Sequence, residues 1–200
     1  MSDTVRIIVN ILGFIGMGLF FITSFLKNKK AVLSLQSGGH VFLAITEYLS
    51  GTYSTIVQEA LCWIRDIGII TKKANKIFKI IIIILIVGVG VTFNIIYDRG
   101  KPSYWFGYLV IFANLIWTID VFYNNKSVIA FKLVSAFSNF CWMALFLSSE
   151  VYSSAIWNGL SGLINLIVGI IIWIKFKMKI VDRLGKPLIN AEEEPKIDEK

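Results

Sequence analysis

Seven apolar stretches, separated by short polar links, occupy almost the whole of this 200-residue chain. A spanning helix needs about 20 mainly apolar residues to cross a hydrocarbon core of about 30 Å. The third stretch is the shortest and the most polar, but it still has the length of a crossing. The pattern therefore predicts an all-α polytopic membrane protein. Its seven transmembrane helices are expected at roughly 8–26, 31–49, 54–71, 77–97, 104–123, 127–148 and 152–174.

The basic residues of the links alternate between the two ends of the predicted helices. Lysines such as Lys27 and Lys126 lie in the odd-numbered links and directly after the seventh helix, whereas the second link, 50–53, has no base. Basic links stay on the cytoplasmic side of a membrane, so the N-terminus is predicted outside and the C-terminus in the cytoplasm. The fourth link departs from this pattern, because Arg99 and Lys101 lie there.

The charge of the chain indicates a membrane surface as partner and not nucleic acid. The chain is 56% hydrophobic, with a mean hydropathy of +0.72, a net charge of +7 and a pI near 9.4. In a soluble domain, this excess of basic residues would indicate nucleic acid as a binding partner. Here the basic residues flank predicted helices and are expected to face an anionic leaflet. We expect one membrane domain, 1–174, followed by a solvated cytoplasmic tail, 175–200, which has no apolar face to bury.

Motifs of catalysis and of metal binding are absent from the sequence. The chain lacks the HExxH, Walker and GxSxG patterns. Its two cysteines, Cys62 and Cys141, lie within predicted helices and have no disulfide or metal-ligand spacing. We therefore expect no metal, no cofactor and no enzymatic activity, with His40 and Glu47 as the one pair that leaves acid–base chemistry open.

The second and sixth links, with the helices around them, resemble each other when the chain is shifted by 99 residues, which places Tyr53 on Tyr152. Overall identity at this shift is low. Polar side chains are rare deep in a membrane, so coincidences between them count for more. Three such pairs coincide: His40 with Asn139, Glu59 with Asn158, and Asp66 with Asn165.

This similarity predicts two parallel repeats of three helices, one at about 8–71 and the other at about 104–174. Because three is an odd number, one further crossing must return the chain before the second repeat can begin on the same side. The apolar fourth helix, 77–97, is the predicted linker in this arrangement of three, one and three helices. Parallel repeats about an axis along the membrane normal are a known transporter design.

Four short features lie in the second, third and sixth helices and in the second link. The segment 36–66 contains a His, the link Leu-Ser-Gly-Thr-Tyr and a late Arg, and Phe-Cys-Trp follows at 140–142. In these features and in Asn165 the chain resembles the bacterial inner-membrane YgjV family, within the wider SWEET, MtN3 and PQ-loop group. The resemblance implies a seven-helix fold in the cytoplasmic membrane. SWEET transporters use an Asn with a nearby Trp in a central cavity, which implies that role for Asn158 and Trp142.

Polar residues within the predicted helices are the candidates for a solute site. His40, the only histidine, is either a solute or proton contact or one half of an interhelical hydrogen bond, and both interpretations stay open. Arg65 must face protein or water. Asp120 is predicted to form a structural ion pair with Arg65, and a gating or solute role is the alternative. The predicted solute-binding residues are His40, Glu59, Arg65, Asn139, Trp142, Trp157, Asn158 and Asn165.

The leading hypothesis is a carrier that moves a small solute by alternating access at a midplane site between the repeats. Trp157 beside Asn158 suits a neutral hydroxylated solute, such as a sugar or a related metabolite, because an aromatic plane lies next to an amide. The alternative is a receptor or scaffold of the same fold, since fold alone does not determine function. A transporter needs its polar side chains to converge on one cavity, whereas a scaffold would pair them between helices. The bilayer and the solute are the expected partners, and homo-oligomer formation is left open.

Overall fold

The part of the chain that the structure describes is almost entirely α-helical, as predicted. Helices satisfy their backbone hydrogen bonds internally, which is what a lipid environment demands. The lysines Lys27 and Lys126 and the tail beyond residue 186 lie outside the described residues. The computed structural model describes residues 2–23, 25–26, 29–123, 127–182 and 185–186.

Seven α-helices occupy these described ranges, at positions close to the predicted ones. The differences are at the ends, because a polar first or last turn does not stand out in a hydropathy pattern. Helix α4 continues directly into a π-helical turn, Asn94–Asp98. The bounds are α1 Asp3–Thr23, α2 Lys29–Ser50, α3 Tyr53–Ile70, α4 Lys76–Phe93, α5 Tyr104–Tyr123, α6 Val128–Ser148 and α7 Tyr152–Lys177.

Five helices are long and apolar enough to cross a membrane, namely α1, α4 with its π-helical turn, α5, α6 and α7. This makes the chain a membrane protein. Helices α2 and α3 do not reach the same apolarity, and α3 shows why. It holds Glu59, Arg65 and Asp66, whose side chains are all buried inside the protein. The mean hydropathy of a helix is an average over all its faces. It therefore does not show that the polar face points towards the inside of the protein.

The helices form a closed ring of six with α4 beside it. Helix α1 packs against α2 and α7, α2 against α3, α3 against α5, α5 against α6, and α6 against α7. Within the described residues, α4 and its π-helical turn contact only α3 and α5. Ile82 and Ile86 of α4 pack there on Leu61 and Phe122. The ring therefore encloses an axis that α4 does not reach.

Helix α1 approaches both of its neighbours closely through glycine. A Cβ atom added to Gly16 would lie 3.0 Å from Cβ of Phe42 on α2, and one added to Gly13 would overlap Ser154 on α7. Small residues at such contacts let helix backbones come together in membranes. A side chain at either position would require its neighbour on α2 or α7 to shift.

The fourth link is tied to the second link by Asp98 and Lys101. The Asp98 carboxylate accepts hydrogen bonds from the backbone N–H groups of Tyr53 (3.2 Å) and Ser54 (2.9 Å) and so caps α3. The Lys101 ammonium lies 2.8 Å from Asp98, donates to the carbonyl of Gly51, and sits 4.6 Å from the Tyr53 ring centroid. One of the two positive charges that conflict with the predicted topology, that of Lys101, is thus compensated within the link.

The start of α7 is capped in the same manner by a residue of another helix. The Ser153 N–H donates to Oδ1 of Asn10 on α1 over 2.9 Å, and the Ser153 hydroxyl donates to the Asn10 carbonyl over 2.7 Å. Orphan N–H groups at a helix start need such acceptors. The 99-residue shift superimposes α3 and α7. In both helices the first N–H groups are therefore capped by a side chain from another segment.

Candidate functional site

A cavity of about 70 Å³ lies between the six helices of the ring. Every one of those helices contributes a lining side chain, and α4 contributes none among the described residues. Six of the eight predicted solute-binding residues line it, from both predicted repeats. These are His40, Glu59, Arg65, Asn139, Trp142 and Asn158.

Four ionisable side chains of α2 and α3 form one buried cluster at the cavity wall. Nδ1 of His40 is hydrogen-bonded to Oε2 of Glu59, and Nε2 of the same ring lies 3.4 Å from Oδ2 of Asp66. The Arg65 guanidinium donates to Oδ1 of Asp66 through Nε at 2.8 Å, and its second terminal nitrogen lies 2.7 Å from that oxygen. With His40 protonated, two cations would balance two carboxylates, which is the condition for burying such charges.

Helix periodicity brings this cluster together. Glu59 and Asp66 are seven residues apart, so both lie on the α3 face that packs on α2. His40 enters between them from α2 and is held from the other side by the edge of Phe20, at 4.9 Å between ring centroids. The sequence leaves open whether His40 is a solute contact or an interhelical bond partner, and the structure makes it a cavity residue that bonds across helices.

The predicted ion pair between Arg65 and Asp120 is not formed. Arg65 instead pairs with its neighbour Asp66, and its third nitrogen donates to the hydroxyl of Thr118 on α5 over 3.0 Å. Successive side chains on a helix point about 100° apart, which favoured a partner for Arg65 on another helix, but the long arginine side chain bends back to Asp66. Thr118 faces α3, and Asp120, two residues further along α5, is rotated away from that face.

A chain of amide hydrogen bonds crosses the other wall of the cavity. The Trp142 indole Nε1 donates to Oδ1 of Asn114 over 3.3 Å, and Nδ2 of Asn114 donates to Oε1 of Gln58 over 3.1 Å. Nε2 of Gln58 then donates to the carbonyl of Ile86 on α4 over 2.8 Å. Asn114 is a site residue that the sequence interpretation missed. It is the one amide side chain within α5, and that was the available signal.

Two asparagines that line the cavity each donate a hydrogen bond from Nδ2 to a carbonyl of their own helix. Nδ2 of Asn139 donates to the carbonyl of Ser135 over 2.7 Å, and Nδ2 of Asn158 donates to that of Ser154 over 2.9 Å. In the described residues no protein donor is bonded to Oδ1 of either asparagine. Both oxygens are therefore available to accept hydrogen bonds from a molecule in the cavity.

The two remaining predicted residues, Trp157 and Asn165, lie outside the cavity. Trp157 packs between the rings of Phe14 and Phe21 on α1, at centroid distances of 5.3 and 4.7 Å. Oδ1 of Asn165 accepts a hydrogen bond from the Lys132 ammonium over 2.9 Å. Trp157 is adjacent to Asn158 in sequence, but the 100° step along α7 turns it towards α1.

Helix α6 contributes more to the cavity than predicted. Ser135, Ser138, Asn139 and Trp142 all line it, at helical spacings of three and four residues. The serines are inconspicuous by themselves, because single hydroxyls are common in membrane helices. Their periodicity with Asn139 was the signal that could have identified them.

Comparison of the chain with protein-family models, with curated proteins and with solved structures finds no match. Function therefore has to be inferred from the geometry of the cavity and of the helices around it.

Proposed function

We propose that the protein is a carrier of small solutes that works by alternating access, with the central cavity as its solute site. The observation that supports this most directly is the convergence of polar side chains from α1–α3 and α5–α7 on one cavity. A concave site with a few polar groups among aromatic walls is the usual form of a small-molecule site. In a scaffold, the polar side chains would only need to pair between helices and would not need to surround one cavity.

The pattern of helix neighbours supports two parallel repeats as part of the same proposal. Within each triplet the middle helix packs on the other two, as α2 does on α1 and α3 and α6 on α5 and α7. The two triplets then meet through α3 with α5 and through α7 with α1. A two-fold axis along the membrane normal would exchange these two contacts. We propose that one triplet rocks against the other about the cavity. We also propose that the protein lies in the cytoplasmic membrane and has a SWEET-like or YgjV-like arrangement of helices.

The cavity chemistry favours a neutral hydroxylated solute. The charged groups of His40, Glu59 and Arg65 are already paired with protein groups. Hydrogen-bond acceptors on Asn139 and Asn158, together with the Trp142 ring, suit hydroxyl groups on a ring-shaped molecule. A cavity of about 70 Å³ has room for only a few waters, each of which needs at least roughly 10–15 Å³. A sugar-sized solute would therefore enter only as the triplets separate, which alternating access provides.

A thermal-shift screen of the purified protein against sugars, nucleosides and vitamin precursors tests this proposal. One class of solute should raise the melting temperature, and Asn158→Ala should abolish that rise while leaving the ligand-free melting temperature close to wild type. Asn165→Ala is the matched control, because Asn165 is also buried on α7 and donates to its own i−4 carbonyl, that of Ser161 at 2.9 Å. A solute response that survives Asn158→Ala but is lost in Asn165→Ala would refute the cavity as the site. Lack of response to all three classes would favour the scaffold.

A further inference from the structure

The His40 ring lies between two carboxylates of α3, and each ring nitrogen faces one of them. Nδ1 is hydrogen-bonded to Oε2 of Glu59, and Nε2 lies 3.4 Å from Oδ2 of Asp66. Both Nε2 and that oxygen are buried, and neither has a hydrogen-bond partner among the described residues. Buried polar atoms without such a partner are costly. A proton on Nε2 would satisfy both atoms at once.

The chemistry of imidazole decides what this arrangement requires. A neutral ring carries a single N–H, so it donates to one carboxylate and turns a lone pair towards the other. A protonated ring donates from both nitrogens, to Glu59 and to Asp66. Binding of one proton at Nε2 of His40 therefore converts two facing acceptors into a donor and an acceptor.

The charges in contact with the ring also balance only when His40 is protonated. Glu59 and Asp66 supply two negative charges from α3. Arg65 supplies one positive charge and lies 2.7 Å from Asp66. With a neutral His40 this cluster keeps one uncompensated negative charge, and with a protonated His40 it has none.

The other ionisable groups of the helices around His40 do not supply the missing positive charge. Helix α1 faces the ring with the edge of Phe20, and its own ionisable residues, Asp3 and Arg6, pair at its exposed start. Cys62 lines the same cavity from α3, and Glu47 lies seven residues further along α2. A thiol and a carboxyl group add no cation, so the proton on His40 is what balances the cluster.

This cluster reaches across the boundary between the two triplets. Arg65 of α3 donates to the hydroxyl of Thr118 on α5 over 3.0 Å, and α3 with α5 is one of the two contacts through which the triplets meet. Separation of the triplets would break this bond and let water reach the cavity wall. An uncompensated charge is costly in the closed ring but not beside water. A proton on His40 therefore favours the closed ring.

We propose that Nε2 of His40, facing Asp66, is a proton-binding site, and that the ring closes with this proton bound, so that the carrier moves a proton together with its solute. This inference rests on the proposed carrier function. In the open state a hydronium ion of the cavity water gives up a proton, an N–H bond forms at Nε2, and a water molecule remains. After the ring opens on the other side, that N–H bond breaks and the proton returns to water.

Nitrogen NMR of the full-length protein in lipid tests the proton site without any solute. His40 is the only histidine of the chain, so protein labelled with ¹⁵N-histidine and purified without a histidine tag gives the signals of one ring. At neutral pH both nitrogens should carry protons. As the pH rises, Nε2 should lose its proton while Nδ1, bonded to Glu59, keeps its own. A ring that is already neutral at neutral pH, or one that loses the Nδ1 proton first, would overturn the inference.

A substitution of Glu59 tests whether charge balance holds the proton. In Glu59→Gln the charges of Arg65 and Asp66 already balance, so the ring should be neutral at the pH where the wild-type ring is protonated. Glu150→Gln, at an exposed glutamate, is the matched control and should leave the nitrogen signals unchanged. A ring that stays doubly protonated in Glu59→Gln would contradict the charge argument. The wild-type titration needs no variant, so the proposal stays testable if Glu59→Gln does not fold.

Distances between spin labels test whether the proton favours the closed ring. Both native cysteines are first replaced, as Cys62→Ser and Cys141→Ser. One pair of labels then joins α2 to α5 at one end of the ring, and a second pair joins α3 to α5 at the other end. All four labelled positions are exposed, namely Tyr48 with Trp105 and Thr71 with Tyr123.

With the ring of His40 doubly protonated, each pair should show one short distance. Once Nε2 has lost its proton, a second, longer distance should appear at one end, and Glu59→Gln should keep the short distances at both pH values. Distances that do not change across the His40 titration would overturn the coupling. The carrier proposal would survive that result, since the Asn158 comparison tests it separately.

Discussion

At the scale of single residues, burial makes each charged side chain depend on its partner. His40, Glu59, Arg65 and Asp66 are all nearly inaccessible, at 5%, 3%, 1% and 0% exposure. Removing one member of a buried pair leaves the other uncompensated, which costs more than the pair itself contributes. The cluster can therefore be dissected by substitutions that remove one charge at a time.

Arg65→Ala should destabilise the protein severely, by about 3–5 kcal/mol, because Asp66 would be left buried without its guanidinium partner. The expected result is a lower yield and a lower melting temperature of the purified protein. Arg99→Ala removes an exposed arginine from the fourth link and should leave both measurements near wild type. A silent Arg65→Ala would mean that the Arg65–Asp66 pair is not structural.

His40 and Glu59 should behave as one unit. In a double-mutant cycle of His40→Ala and Glu59→Gln, we expect a coupling free energy of unfolding of about 0.5–3 kcal/mol, because the two side chains share a hydrogen bond. His40→Ala combined with Glu150→Gln should be additive, since Glu150 instead pairs with Arg6 at 2.9 Å. Additivity in the first cycle would contradict the contact between the two helices.

At the scale of helices, the position of α4 beside the ring separates its packed face from its lipid face. Ile86 is 0% exposed and packs in the apolar cluster with Leu61 and Phe122, whereas Ile84 of the same helix is 62% exposed. In a membrane the lipid is as apolar as the side chain, so packing contacts and not burial as such stabilise the helix.

Ile86→Ala should therefore lower stability by about 2 kcal/mol or more, as for a packed core isoleucine, whereas Ile84→Ala should have almost no effect. The measurement is the melting temperature of each purified variant in the same detergent or lipid. Equal effects of the two substitutions would place the lipid face of α4 elsewhere and would contradict its position beside the ring.

At the scale of the whole molecule, the alternating lysines predict the orientation in the membrane. A reporter fused after Lys175 should be cytoplasmic, and a reporter inserted at Gly51 should be external. The fourth link is the place where this expectation conflicts with local charge, and Asp98 compensates Lys101 there. The reversed reporter pattern would contradict both the seven crossings and the parallel repeats.

The sequence by itself determined the helices and six of the residues that line the cavity. Helix formation and the choice of an inner face depend on local periodicity, which is why the six cavity residues, including His40 on α2 and Asn158 on α7, could be predicted before their neighbours were known. Burial of rare polar groups in an apolar chain leaves few alternatives.

Only the tertiary structure decided which of these groups meet. The partner of Arg65 is Asp66 and not Asp120, Trp157 turns to α1, and Asn114 links two walls of the cavity. Such contacts depend on the rotation of each helix about its axis and on how far a long side chain bends. The spacing of residues along one helix does not predict these contacts. The rotation of a helix and the bend of a side chain are both set by the packing of all six helices of the ring.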